Sequence, residues 1–249
     1  MTDRAGGSGR TRLRVIDLET TGNAPPAEVI ELARVDVIVK ESRTTSVETP
    51  VCGLFRPLHG IPPEAMAVHH LTEADFDGST PVATTALLRA AVLSEPMPDI
   101  LVAHNCQFER TFLDEALGDE IPWICTYKAA LHVWPDAPRH SNQVLRYWRG
   151  LTLDPQQAMP PHRAGPDAWV TAHLLIDLLN QASIEQMLAW TRKPRHMPLI
   201  PFGKHRGLKW SEAPDDYLRW MLSQATMEED VIFAAQQELL RRQGDKMNA

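Results

Sequence analysis

Three short segments of this chain supply four carboxylates and two histidines beside apolar runs: Asp17-Leu18-Glu19-Thr20-Thr21-Gly22, His104-Asn105-Cys106-Gln107-Phe108-Glu109 and His162-Arg163-Ala164-Gly165-Pro166-Asp167. Hard divalent cations such as Mg²⁺ take oxygen ligands, and two such ions about 3.5–4 Å apart need several carboxylates between them. Asp17, Glu19, Glu109 and Asp167 offer that donor set, which suits metal-assisted cleavage of a phosphodiester. His162 is left to move the proton. An imidazole with the ordinary pKa of about 6.5 accepts one near neutrality.

The elements that must position these groups follow from periodicity. Residues 12–19 read as a strand, so Asp17 and Glu19 point to one face while Leu18 points to the other. Two acids side by side oppose each other's ionisation unless a cation sits between them. An isolated Asp-x-Glu is most often a solvated edge. The tight turn Thr20-Thr21-Gly22 after an apolar strand sets this one apart. Residues 99–103 form a short apolar run suited to a buried strand, followed by a helical pattern through Phe108, Phe112, Leu113 and Leu117. Glu109 then lies in the first turns of a helix at a strand's carboxyl end, where ligands gather in open α/β sheets. An acid there can also serve only the helix dipole. Pro166 suits the first turn of a helix running from 168 to about 181. On it Asp167, Val170, Thr171, Leu174 and Leu178 share one face, so the carboxylate lies on a buried stripe and needs a partner. His162 precedes that helix on a loop, free to approach the same place.

Together the three segments resemble the Exo I, Exo II and Exo III motifs of the DEDDh (DnaQ-like) 3′–5′ exonucleases. Val29-Ile30-Glu31-Leu32-Ala33 resembles the family's second strand. Trp123-Ile124-Cys125-Thr126, Leu131-His132-Val133-Trp134-Pro135 and Ser141-Asn142 resemble the bacterial exonuclease X group, exodeoxyribonucleases that prefer single strands. Phe202-Gly203-Lys204-His205-Arg206-Gly207 with Tyr217-Leu218-Arg219-Trp220 resembles that group's small C-terminal extension. The resemblance spans residues 13 to 240. It implies an α/β, ribonuclease H-like mixed sheet flanked by helices, with a small C-terminal appendage. It implies further that Asp17, Glu19 and Asp167 hold two Mg²⁺ ions, for which Mn²⁺ can substitute, and that His162 is the general base. Leu18, Thr20, Thr21 and Asn105 are expected to contact the terminal nucleotide. One departure stands out: Glu109 occupies a place where the family usually has aspartate, with one more methylene. The expected substrate is DNA, at single-stranded or frayed 3′ ends. An exoribonuclease, or an end-binding module without cleavage, shares the same motifs and stays open.

At 249 residues and 43% hydrophobic content, the chain can bury one substantial core and an appendage. The expected divisions are a disordered tail over 1–11, the exonuclease domain over 12–191, a proline-marked linker over 192–201, and a C-terminal unit over 202–249 that contacts nucleic acid. Strand-like runs at 13–19, 29–39 and 45–55 suggest a meander. Thr72 and Ser183 read as helix caps, and C-terminal helices are expected at 215–223 and 228–242. The net charge of −7 runs against nucleic-acid binding, but residues 192–209 carry six basic residues and no acid. Three cysteines without paired spacing, together with the lack of a membrane-spanning run or signal-peptide pattern, point to the cytoplasm and no membrane partner.

Overall fold

The computed structural model describes residues 9–40, 43–119, 121–195, 197–224 and 227–247. β1 (Arg10–Thr20) and β2 (Val29–Lys40) form a long antiparallel hairpin, and β3 (Arg43–Val47) and β4 (Val51–Leu54) both pair antiparallel with β2. After α1 (Pro63–His69) and α2 (Thr85–Val92), β5 (Ile100–Ala103) joins β1 in parallel. α3 (Gln107–Leu117) leads to β6 (Trp123–Cys125), which is parallel to β5. α4 (Thr126–Val133), α5 (Asn142–Trp148), α6 (Pro155–Ala158), α7 (Ala164–Leu179) and α8 (Ile184–Thr191) complete the domain. The strand order β3-β2-β1-β5-β6 is the expected ribonuclease H-like mixed sheet flanked by helices.

The period-two alternation of β1 sorts its side chains between two cores. Leu13 and Val15 face α7, packing with Ala168, Val170 and Leu174. Ile16 and Leu18 face the other way, against Leu88 and Val92 of α2 and Leu113 and Leu117 of α3. Arg14 shares that second face and is fully buried. It survives there because its guanidinium grips Asp36 at 2.7 Å through two nitrogens and donates to the carbonyls of Val92, Ser94 and Pro96 at 2.7–2.9 Å.

Several expectations are corrected in detail. The run at 45–55 is two short strands, because after Glu48 N–H, which still bonds the Asp36 carbonyl at 2.9 Å, the pairing breaks at Thr49 and Pro50, where proline has no N–H to give. Thr72 caps only a single 3-10 turn, Glu73–Asp75, closed by a reciprocal bond from its own N–H to Asp75 at 2.7 Å. Of the expected tail, residues 1–8 lie outside the described residues, and Arg10 and Thr11 are already in β1, paired with Lys40 and Val39.

The C-terminal unit has its own core. α9 (Asp215–Leu222) and α10 (Glu229–Met247) enclose Leu218, Met221, Val231 and Ala235, and Met197 and Ile200 from the segment expected to be a linker are buried with them. Trp210 Nε1 donates to the Met197 carbonyl at 2.7 Å, and Leu199 bridges Lys209. The unit therefore starts before residue 202. Its prolines punctuate packed backbone, not a free linker.

Candidate active site

β1 ends beside the N-terminus of α7, and this meeting makes the site. Asp17 and Glu19 leave the face of β1 that carries Val15, which is the face α7 covers. Asp167, in the first turn of α7, points back at them: one carboxylate oxygen from each of the three lies within 4.8 Å of the others. Among the described residues, no hydrogen-bond donor meets the carboxylates of Asp17 or Glu19. Asp167 is held instead, by the backbone N–H of His162 at 2.7 Å and by Gln143 Nε2 at 3.1 Å. Burial raises all three, and repulsion from neighbouring carboxylates adds to it. Asp17 rises well above its usual range through burial, Asp167 and Glu19, and Glu19 is pushed up to about 8 by burial, Asp167 and Glu31. Asp167 rises less, because burial is opposed by its two donors. Three converging oxygens, two of them without donors, form a hard-oxygen set suited to a small divalent cation.

Glu109 reaches the same cavity from the other side of the sheet. It sits on α3, whose apolar face packs with Ile16 and Leu18, so its carboxylate arrives past the carboxyl end of β5 and stands outside the group of three. It is buried, its Oε2 has no hydrogen-bond partner, and its pKa is raised well above the usual range by burial and by the acidic groups of Cys125 and Glu19. A buried carboxylate oxygen without a donor costs free energy unless something fills the gap.

The cavity, about 430 Å³, is lined by all nine residues singled out from the sequence: Asp17, Leu18, Glu19, Thr20, Thr21, Asn105, Glu109, His162 and Asp167. They differ in how free they are. The Thr20 hydroxyl donates to the Gly22 carbonyl at 2.6 Å, and Thr21 Oγ1 accepts from Glu28 N–H at 2.8 Å, so both shape the turn after β1. Asn105 has a left-handed backbone, φ 73°, between β5 and α3. His162 is also left-handed, φ 59°, and its exposed ring has no hydrogen-bond partner among the described residues.

Sequence reasoning missed the groups that hold the site. Glu31 stands opposite Glu19 in the β1–β2 register. It accepts from Arg163 at 2.8 and 2.9 Å and from Ala164 N–H at 3.0 Å, fastening the start of α7 and the His162 loop to β2. Gly165 then passes so near β4 that a Cβ on it would stand 2.8 Å from Cys52 Sγ. Asn142 Nδ2 donates to the Asp167 carbonyl at 3.0 Å and to Thr171 Oγ1 at 3.1 Å, so α5 steadies α7. His104 is a support, not a reagent: its Nε2–H donates to the His140 carbonyl at 2.7 Å, its Nδ1 faces Thr126 Oγ1 at 3.0 Å, and burial lowers it to about 4. His69, at the end of α1, accepts from Leu71 N–H on Nδ1 at 3.0 Å, which leaves a protonated, buried and unpartnered Nε2 in a residue that lines the cavity. The only sequence signal for Glu31 was its position amid an apolar strand, where an unpaired acid would be costly.

A family model described as "Exonuclease" matches residues 15–175, from the strand bearing Asp17 through the helix bearing Asp167. The chain belongs to the exonuclease family. It is 36% identical over 216 residues to "Exodeoxyribonuclease 10" of Escherichia coli (strain K12), covering 85% of this chain and 90% of that protein. Among solved structures it is similar to "Exonuclease X in complex with 5' overhanging duplex DNA", at 34% identity and a TM-score of 0.59, over 72% of this chain and 99% of the other. The E. coli ExoI–ssDNA complex, at 12% identity and a TM-score of 0.54 over 74% of this chain and 43% of its own, shares the fold. In this exonuclease fold the carboxylate cluster is the feature that can bind a metal. Among the described residues no helix is long and apolar enough to cross a membrane, and Cys52, Cys106 and Cys125 are all free.

Proposed function

We propose that the protein is a divalent-metal-dependent 3′–5′ exodeoxyribonuclease of DEDDh type, which removes nucleotides from the 3′ ends of DNA, single-stranded or frayed. The observation that carries the reading is the convergence of Asp17, Glu19 and Asp167 within 4.8 Å in the cavity that also takes in Glu109 and His162. The named activity of the 36%-identical relative supports DNA as the substrate. Asp17, Glu19 and Asp167, with Glu109 at the second position, would hold two Mg²⁺ ions, which Mn²⁺ can replace. When bound, such ions neutralise charge on the scissile phosphate and favour an attacking hydroxide.

The chain's own residues do the rest. His162 lies on the open side of the cavity with a free ring, so it can take the proton of an attacking water, while its backbone N–H keeps Asp167 in place. Glu31 and Arg163 fix the loop on which that ring stands, and phosphoryl transfer depends steeply on such positioning. Leu18, Thr20, Thr21 and Asn105 form the wall against which the terminal nucleoside would rest. The free cysteines fit action in the reducing cytoplasm.

The test is incubation of the purified chain with end-labelled single-stranded DNA and RNA, each with Mg²⁺ or EDTA. DNA shortened from its 3′ end with Mg²⁺ and intact in EDTA is the expected result. Faster loss of RNA would assign an exoribonuclease, and tight end binding without shortening would assign a non-catalytic module.

A further inference from the structure

The C-terminal unit carries a surface that the catalytic cavity does not use. Tyr217 and Trp220, three residues apart on α9, lie on one side of the helix, with ring centroids 5.4 Å apart and planes 21° from parallel. His205 meets the Tyr217 ring edge-on at 4.5 Å, and the Lys204 ammonium stands 5.6 Å over the same ring. The backbone forces this grouping. Gly203 turns at φ 70°, against the Tyr217 hydroxyl with no room for a Cβ, and the 3-10 turn that follows presents Lys204, His205 and Arg206 in succession. Tyr217 is buried beneath the group, whereas Trp220 is 47% exposed. Among the described residues Trp220 meets no ring but Tyr217, and about half of its surface is left to solvent.

Positive charge adds to this surface. Lys204 and Arg206 are exposed and, among the described residues, have no ion-pair partner. Three other arginines of the unit are neutralised: Arg195 by Asp230 at 3.1 Å, Arg241 by Glu238 at 2.7 Å, and Arg242 by Glu238 at 2.7 Å and by Asp215. The acids close in sequence to the rings are occupied by backbone, Asp216 by Tyr217 N–H and Glu212 by Lys209 N–H, each at 2.8 Å. Unneutralised Lys204 over the Tyr217 ring, Arg206 two residues on in the same turn, and a half-exposed indole stacked on that ring match, in a chain of net charge −7, a ligand with regular negative charge and flat faces. An acidic peptide would use the cations and leave the indole face idle.

We propose that the exposed side of Trp220, with Lys204 and Arg206, binds single-stranded nucleic acid, a base stacking on the indole and neighbouring phosphates meeting the two cations. This deepens the proposed function by giving the strand a second point of attachment outside the catalytic cavity, and it is tested separately. The full chain and its Trp220→Ala, Trp220→Phe and Lys204→Ala/Arg206→Ala variants are titrated against fluorescein-labelled (dT)20 in EDTA, by anisotropy at several salt concentrations. Trp220→Ala should weaken binding by roughly 5- to 150-fold, the range that stacking of one base supports, and Trp220→Phe should recover most of it. The double variant should flatten the slope of log Kd against log salt by about 1.4, or about 0.7 for each phosphate that is no longer neutralised. Both Lys204 and Arg206 are exposed, so that variant tests the surface even where Trp220→Ala fails to fold. Wild-type affinity in a folded Trp220→Ala, or a wild-type slope in the double variant, would overturn the proposal. Hydrolysis of a thymidine 5′-nitrophenyl phosphate should be equal in all four proteins. Its absence from the wild type would sink the nuclease reading and leave the strand-binding result standing.

Discussion

Replacing Glu19 by glutamine separates the repulsion within the carboxylate group from its purpose. Glu19 is pushed from 4.5 to about 8 by burial and by Asp167 and Glu31, and no donor compensates it. The sign follows from linkage. Below pH 4.5 the carboxyl is protonated in both folded and unfolded chains, and its contribution to stability is fully present. As pH rises towards 8, the unfolded chain releases the proton while the folded chain retains it, so stability is lost across that window at about 1.4 kcal/mol per pH unit. The whole window comes to about 5 kcal/mol. Sharing of protons with Asp17 and Asp167, and water in the cavity, reduce it to about 2–3 kcal/mol. Glutamine has no proton to lose and breaks no hydrogen bond here. In EDTA at pH 8, Glu19→Gln should therefore melt about 4–12 °C above the wild type, at about 2–4 °C per kcal/mol for a chain of this size, and the difference should vanish towards pH 4.5. Adding Mn²⁺ at pH 8 should reverse the order, because only the wild type keeps the full ligand set. Thermal melts followed by circular dichroism measure all of this. A glutamine variant that melts below the wild type at pH 8 in EDTA would refute the reasoning.

His162→Ala removes a base but no ligand, so calorimetric Mn²⁺ affinity should survive while kcat falls by roughly 10²–10⁴; a loss of affinity equal to that of Asp167→Asn would mark His162 as a ligand. Glu109→Asp should lower Mg²⁺-supported cleavage, because the shorter side chain withdraws a carboxylate that already reaches in from the opposite face of the sheet; a clear gain in rate would show instead that glutamate fits poorly. Glu31→Gln should destabilise the fold by about 3 kcal/mol in a urea titration, the low end for breaking a buried pair since Arg163 is partly exposed, and should lower kcat more than it changes KM. Unchanged kcat there would show that the Glu31–Arg163 pair does not position the His162 loop.

What could be read from the sequence was local. Alternation along β1 placed Asp17 with Glu19 and Leu18 opposite, and helical spacing placed Asp167 on the stripe of Val170 and Leu174. What could not be read was the pairing of distant segments. Glu31 and Arg163 are 132 residues apart and Gln143 is 24 from Asp167, and neither periodicity nor composition encodes such pairings. For the same reason the separation of Glu109 from the other three acids was invisible, because it depends on which face of the sheet α3 covers. Prolines misled twice. Pro50 split an apparent strand, and Pro198 and Pro201 suggested a linker where Met197 and Ile200 are in fact buried against Trp210 and Leu218.

The most direct measurement is the length of a 5′-labelled single-stranded DNA after incubation with saturating Mg²⁺ and either the wild type or Asp17→Asn, resolved on a denaturing gel. The wild type should give a ladder receding from the 3′ end, and Asp17→Asn, folded and at the same concentration, should leave the strand at full length. A ladder of comparable rate from Asp17→Asn, or an intact strand with the wild type, would contradict the assignment of the Asp17–Glu19–Asp167 group as the metal centre of a 3′–5′ exonuclease.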